Sequence, residues 1–124
     1  MNEVIQIEDT ASTIAQALTE YDQEVADKTK KVVDKVSKET VERLQQISPK
    51  RTGVYAESWK RKKAYEDTRT KRNTVYNPKK YQLTHLLEYG HSSKYGEVKG
   101  IPHILIANKE AAEKLEQGIK KTLE

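Results

Sequence analysis

The residues with the most chemical reach lie in one stretch, Asn77 to Ile104, which holds all three histidines. His85, Glu88 and His91 are spaced three apart, and His103 follows. Two imidazoles and a carboxylate could hold a divalent metal. An imidazole near lysines could serve as the acid or base of a phosphodiester hydrolase. The spacing supports neither. Positions three apart share a helix face, but Gly90 reads as a helix stop, so His91 leaves that face. No H-E-x-x-H and no Cys/His pair completes a metal set. Gly90, Gly96 and Gly100 match neither glycine spacing that cradles phosphate. Without a metal, His85 and His103 are expected to be partly buried and hydrogen-bonded, with Glu88 capping or pairing locally. No catalytic residue, metal ligand or cofactor is assigned.

The other chemistry is charge. Between Lys50 and Lys80 there are eleven Lys and Arg against three acids, a local +8. The rest of the chain has 12 Lys and Arg against 16 acids, a net −4. Clustered cations suit phosphate contact. Lys60, Arg61, Lys62, Lys63, Arg69, Lys71 and Arg72 are therefore the candidate contacts to a partner or to DNA. Aromatic interleaving is thin (Trp59, Tyr65, Tyr76), and neither a recognition helix nor a zinc-finger spacing is present, which disfavours sequence-specific reading.

These groups must be carried by elements. Thr13 with Gln16 fits a capping box. From there to Ile47 there is no Gly or Pro. Ile14, Leu18, Tyr21, Val25, Val32, Val36, Thr40, Leu44 and Ile47 recur at helical steps, with Val33 and Val41 widening the stripe. A helix over about 13–47 would be roughly 50 Å long, more than a small domain is wide, so part of it is expected to meet a partner. Ser48-Pro49 ends it. Residues 59–77 read as a basic β-hairpin turning at Glu66-Asp67-Thr68. Asn77-Pro78 predicts an N-cap and first helical residue for a helix over 78–89, with an apolar stripe of Leu83, Leu86 and Leu87. Residues 91–100 read as a polar loop. Ile101 to Ile106 is an apolar re-entry, and Ala112, Leu115, Ile119 and Leu123 predict a last helix over 108–122. The alternation of Val4, Ile5 and Ile7 is β-like but too short to assign. The predicted class is α+β in one domain, 1–124.

Hydrophobic residues are 35% of the chain, charged residues 34%, and Phe is absent. So apolar-poor a chain of this length is expected to draw stability from neighbouring subunits. There is no cysteine, hence no disulfide. No apolar run approaches the ~20 residues of a membrane span, and no signal peptide is visible at Met1-Asn2-Glu3-Val4. Synthesis in the cytoplasm and no membrane contact are the expectation.

Three segments together carry a resemblance. They are P-K-R-T-G-V-Y-A-E-S-W (Pro49 to Trp59), Y-Q-L-T-H-L-L-E-Y-G-H (Tyr81 to His91) and G-I-P-H-I (Gly100 to Ile104). In that order, after a long helix and before a short one, the chain over roughly 10–122 resembles the gene-ten-like head–tail connector, or tail-completion, family of long-tailed phages. The resemblance implies an α+β fold, no catalytic residue, and assembly as a homo-oligomeric ring through which DNA passes. A hexamer of subunits that are monomeric before assembly is the form considered. It implies a place at the virion head–tail junction, between the head-closure and tail-terminator rings. The matching positions, Thr52, Gly53, Tyr55, Trp59, His85, Glu88, Tyr89, Gly90, His91, Pro102 and His103, are expected to be fold or interface determinants. The basic hairpin is outside the motif, and a channel-lining or docking role for it is argued from charge alone. The alternative is a non-specific DNA-binding accessory protein that uses that hairpin.

Overall fold

Helix α1 (Gln23–Ile47) gives the other elements a surface to pack on. It belongs to a computed structural model that describes residues 5–8, 23–50 and 53–123. The predicted helix start, with Thr13 and Gln16, lies outside the described residues. Twenty-five residues at ~1.5 Å each make α1 roughly 37 Å long. Its buried stripe is Ala26, Thr29, Val33, Val36, Ser37, Thr40 and Leu44. Val25, Val32, Val41 and Ile47, expected in that stripe, are only half-buried. Small residues hold the centre instead, and they let other elements approach closely. Their hydroxyls are satisfied within the helix: Thr29, Ser37 and Thr40 each donate to the carbonyl four residues back, at 2.6–2.8 Å.

Three strands form one antiparallel sheet in the order β1-β3-β2: β1 (Ile5–Glu8), β2 (Lys60–Glu66) and β3 (Lys71–Tyr76). The predicted hairpin is β2–β3. The unassigned β-like segment at the start supplies the third strand, pairing Ile5 with Val75 and Glu8 with Arg72. In β3 the residues facing α1 are buried, with Val75 in the core and Asn73 donating to Asp34 and Ser37 of the helix, both at 3.0 Å. One turn of helix, α2 (Val54–Glu57), follows Gly53, whose φ of 84° is the left-handed region that glycine enters without strain. It presents Tyr55 to the core, and Trp59 follows it there.

Helix α3 (Tyr81–Tyr89) starts three residues later than predicted. Asn77 does act as a cap, but its carboxamide oxygen accepts the Lys80 N–H across a turn, 2.9 Å. Its amide holds the Tyr55 carbonyl at 2.8 Å. The cap is spent on a turn that ties α2 to α3. The polar loop predicted for 91–100 is a second β-hairpin, β4 (Gly90–Ser93) and β5 (Gly96–Lys99). Its turn residues are Lys94 and Tyr95, and Ser93 Oγ binds across them to Gly96 O and Tyr95 N. Helix α4 (Ile104–Thr122) starts four residues earlier than predicted. Its buried face is Ile104, Ala107, Ala111, Leu115 and Ile119. Ala112 and Leu123, predicted to belong to it, are exposed, so the face is rotated by one residue at Ala111. Helices α1 and α4 pack along each other. At Gly118 they come so close that a Cβ would sit 2.6 Å from a Val32 methyl.

Candidate functional site

Glu88 is 5% exposed and points away from solvent, at the start of α4. Its Oε1 accepts the N–H groups of His103 (2.7 Å) and Ile104 (2.8 Å), and its Oε2 accepts that of Leu105 (3.1 Å). Helix starts leave such donors without partners, and a carboxylate there also opposes the positive end of the helix dipole. The cap therefore comes from a different helix, fifteen residues earlier in the chain.

His103 is fully buried. Its Nδ1 lies 2.7 Å from Ile101 O and 3.0 Å from Glu88 Oε1, two acceptors, so this nitrogen carries the hydrogen. Nε2 then accepts from the Tyr55 hydroxyl at 2.6 Å. Burial, with the Glu88 charge adding to it, pushes the Tyr55 pKa well above the usual phenol range, so the hydroxyl keeps its proton and donates. Tyr55, Trp59 and His103 meet edge to face, with ring centroids 5.5–6.4 Å apart. The Trp59 N–H donates to Ser48 Oγ at 2.9 Å, so the residue before Pro49 has a structural task. The three histidine-linked groups resemble a catalytic relay, but all are sealed from solvent. Their arrangement joins α2, α3 and α4 into one body.

The metal reading comes apart in space. Glu88 faces inward, while His85 is exposed and packs on Tyr89 with ring centroids 5.0 Å apart. His91 is exposed on β4. No group of three His, Cys, Asp or Glu that could hold a metal occurs among the described residues. Thr52 lies outside those residues. Pro102 is exposed and directly precedes His103, the N-cap of α4.

The basic hairpin divides into two faces. Arg61 pairs with Val75 and Lys63 with Asn73, which puts both on the side of α1. Lys60 and Lys62 pair with Tyr76 and Thr74 on the opposite side, and Lys62 lies over the Tyr76 ring at 4.7 Å. The register shifts between Lys63 and Tyr65, so Ala64 is the extra residue of a bulge. The bulge changes the phase of the strand. Glu66 thereby joins the α1 side, 3.3 Å from Lys30, and Tyr65 sits across from Arg72. Asp34 of α1 collects the inward cations: its carboxylate binds Lys71 at 2.8 Å and its carbonyl binds Arg61. Partial burial alone would raise the Asp34 pKa, but Lys71, Asn73 and the Arg61 charge outweigh it and hold the carboxyl below its usual range. The seven candidate cations are thus not one surface. Lys60, Lys62 and Arg72 face outward, Arg61, Lys63 and Lys71 face α1, and Arg69 lies in the turn at the hairpin tip.

The hairpin tip is ordered by Asp67. Its carboxylate accepts from the Tyr65 hydroxyl, the Arg69 and Thr70 amides and the Thr70 hydroxyl. The Asp67 and Thr68 carbonyls accept from Lys30 and Gln23 of α1. These hydrogen bonds, the one from Tyr65 foremost, hold the Asp67 pKa far below the ordinary carboxylate range. A depressed pKa adds stability above the ordinary value of 3.8 and gives it up as pH falls below that value. In an NMR titration the Arg69 and Thr70 amide shifts should stay constant from pH 7 to about 5 and move only with a midpoint below the ordinary carboxylate value. Asp67→Asn should remove the transition. A midpoint at or above 3.8 in the native protein would contradict the tip geometry.

The feature least visible in the sequence is the orientation of α3. Thr84 and Glu88 are its buried residues. Leu83, Leu86 and Tyr89 lie on the opposite side and are exposed, Tyr89 by 65%. Only Leu87 of the predicted apolar stripe packs against the core. Val98, Ile101, Leu105 and Ile106 are also exposed, and Tyr95 at the tip of the second hairpin is 87% exposed. The backbone ties these segments together, since Ile101 N–H donates to Leu87 O at 2.8 Å and Glu88 caps Leu105. The available signal was the i, i+4 pair Thr84/Glu88 flanked by leucines, which is amphipathic in either direction.

Residues 12–90 match the family described as "Bacteriophage HK97-gp10, putative tail-component". The chain belongs to this family. The match covers more than half of the sequence and runs through α1, the basic hairpin and α3. It ends at Gly90, so the second hairpin, the G-I-P-H-I segment and α4 lie beyond it. No curated protein matches the chain, and no solved structure does. The family is one of structural phage tail components, and the α+β arrangement described above is its form in this chain. Among the described residues, no helix is long and apolar enough to cross a membrane.

Proposed function

We propose that the protein is a subunit of the phage neck that completes the tail and joins it to the DNA-filled head, as part of a ring around the DNA channel. The observation that supports this most, given the family, is the outward apolar side of α3 with the second hairpin and the start of α4. The largest apolar patch on a typical monomer is ~300–600 Å², and a standard interface takes about 800 Å² from each partner. Nine large apolar side chains from Tyr81 to Ile106 are exposed on these segments, more than singly scattered surface residues would explain. Their neighbour in this reading is the adjacent subunit of the ring. The outward cations Lys60, Lys62 and Arg72 lie on a separate surface, which is turned to the adjoining ring.

Phage lacking this gene should accumulate filled heads and separate tails, counted by electron microscopy, and added purified protein should restore joining. Joined particles formed in its absence, or purified virions that do not contain it, would overturn the proposal. Leu86→Glu with Tyr89→Glu should abolish restoration. Both side chains are exposed, so the stability of the isolated chain should change by only about 0.5 kcal/mol.

A further inference from the structure

We infer that the open edge of β2 is a docking site for an extended acidic segment of a partner protein, which adds as a fourth strand to the sheet. In the order β1-β3-β2 one edge of β2 pairs with β3, and no strand pairs with the other among the described residues. All seven residues of β2 are exposed. A row of open backbone donors and acceptors is a template for another strand. This one is also held rigid in advance. Its tip is tied to α1 through Lys30, Gln23 and the Asp67 network, so an incoming strand does not have to order it.

Charge selects the occupant. Lys60, Arg61, Lys62 and Lys63 occupy four successive positions before the bulge at Ala64. Lysines and a bulge on an edge keep a strand from pairing with its own copies. They repel a basic strand and attract an acidic one, which is specificity by exclusion. The bulge breaks the ladder, so pairing is confined to Lys60–Lys63. Alternation then divides the contacts. Side chains of the added strand on the outer face meet Lys60 and Lys62, where acidic residues two apart fit best. On the other face Arg61 and Lys63 already have the Asp34 carbonyl and Glu66 as partners, so uncharged side chains suffice there. DNA could also meet cations here, but three of the hairpin's seven face α1, and a phosphate backbone cannot extend the alternating donor and acceptor ladder of a strand edge.

The test uses the full chain, labelled for NMR, and a blocked eight-residue peptide in which Glu alternates with Val and Thr. The peptide should shift the amides of Lys60–Lys63 and leave α4 unchanged. The same peptide N-methylated at alternate amides keeps its charge but cannot form the ladder, and should bind roughly tenfold more weakly or worse. A Lys60→Glu/Lys62→Glu variant, unchanged in fold by circular dichroism, should lose the acidic peptide and gain a Lys-substituted one. Equal binding of the methylated peptide would reduce the site to simple charge attraction and overturn the inference. So would absence of shifts in β2, or displacement of the peptide by duplex DNA with a steep salt dependence.

Discussion

Glu88→Ala is expected to lower the midpoint of thermal unfolding by on the order of 10–20 °C. The carboxylate satisfies three N–H groups at the start of α4 and touches the His103 ring, all in a buried setting. Truncation leaves those donors without partners. Each buried unsatisfied polar group costs about 1–3 kcal/mol, and bonds to a charged acceptor are at the upper end. Some of that loss is recovered as water enters the space, so a total of about 3 kcal/mol is reasonable, and for a domain near 100 residues each kcal/mol moves the midpoint by about 4–8 °C. Glu88→Gln should recover only part of it, because one of its two terminal atoms becomes a donor facing donors. Asp is too short to reach from α3. Scanning calorimetry checks all three variants. A Glu88→Ala midpoint within about 2 °C of the native one would mean that α4 does not depend on this cap.

The second large effect is at the base of the hairpin β4–β5, where Gly90 and Gly100 cross. A Cβ on Gly100 would lie 2.4 Å from Glu88 O, 2.6 Å from Tyr89 C and 2.7 Å from Gly90 N. A Cβ on Gly90 would lie 2.5 Å from Val98 O and 2.7 Å from Gly100 N. These neighbours are backbone atoms, which cannot swing aside as a side chain does. Gly90 also has φ 84° and ψ 174°, a region essentially restricted to glycine. Gly100→Ala should therefore force the strands apart and disturb the Glu88 cap that begins two residues before Gly90. A loss of at least about 3 kcal/mol is expected for either substitution, by analogy with strained and overpacked sites. Gly96→Ala is the control. It has φ 115° but nothing within 4 Å of a Cβ, so only the backbone strain of about 1–3 kcal/mol remains. Urea unfolding of the three variants should rank Gly96→Ala as the mildest. If Gly100→Ala were equally mild, the crossing would be looser than described.

The second hairpin and the start of α4 were hidden for the same reason. H-S-S-K-Y-G-E-V-K has little β-branched or aromatic character, and every residue in it is exposed, so no alternation between core and solvent marks it as strands. Its pairing is imposed from its base, where Gly90 and Gly100 bring the two ends together. The start of α4 lacks a local cap, and Asn108 is the nearest residue of capping type. The true cap is Glu88, which only the fold brings to Ile104. Glu88 and His103 were legible as members of a recurring motif, but their partnership with each other was not.

The α+β class, the long Gly- and Pro-free helix, the basic hairpin and the phage family are legible in the sequence alone. Periodicity, turn residues, charge and motif order are local or compositional properties, and they survive without coordinates. Tertiary structure alone decided which way α3 faces. Thr84 and Glu88 go inward, where Glu88 finds three backbone donors and a histidine, and Leu83 and Leu86 are left exposed. It also decided how the cations divide. Strand alternation, with Asp34 on α1 binding Lys71 and Arg61, separates Lys60, Lys62 and Arg72 from Arg61, Lys63 and Lys71, while the bulge at Ala64 changes the face only of Tyr65 and Glu66.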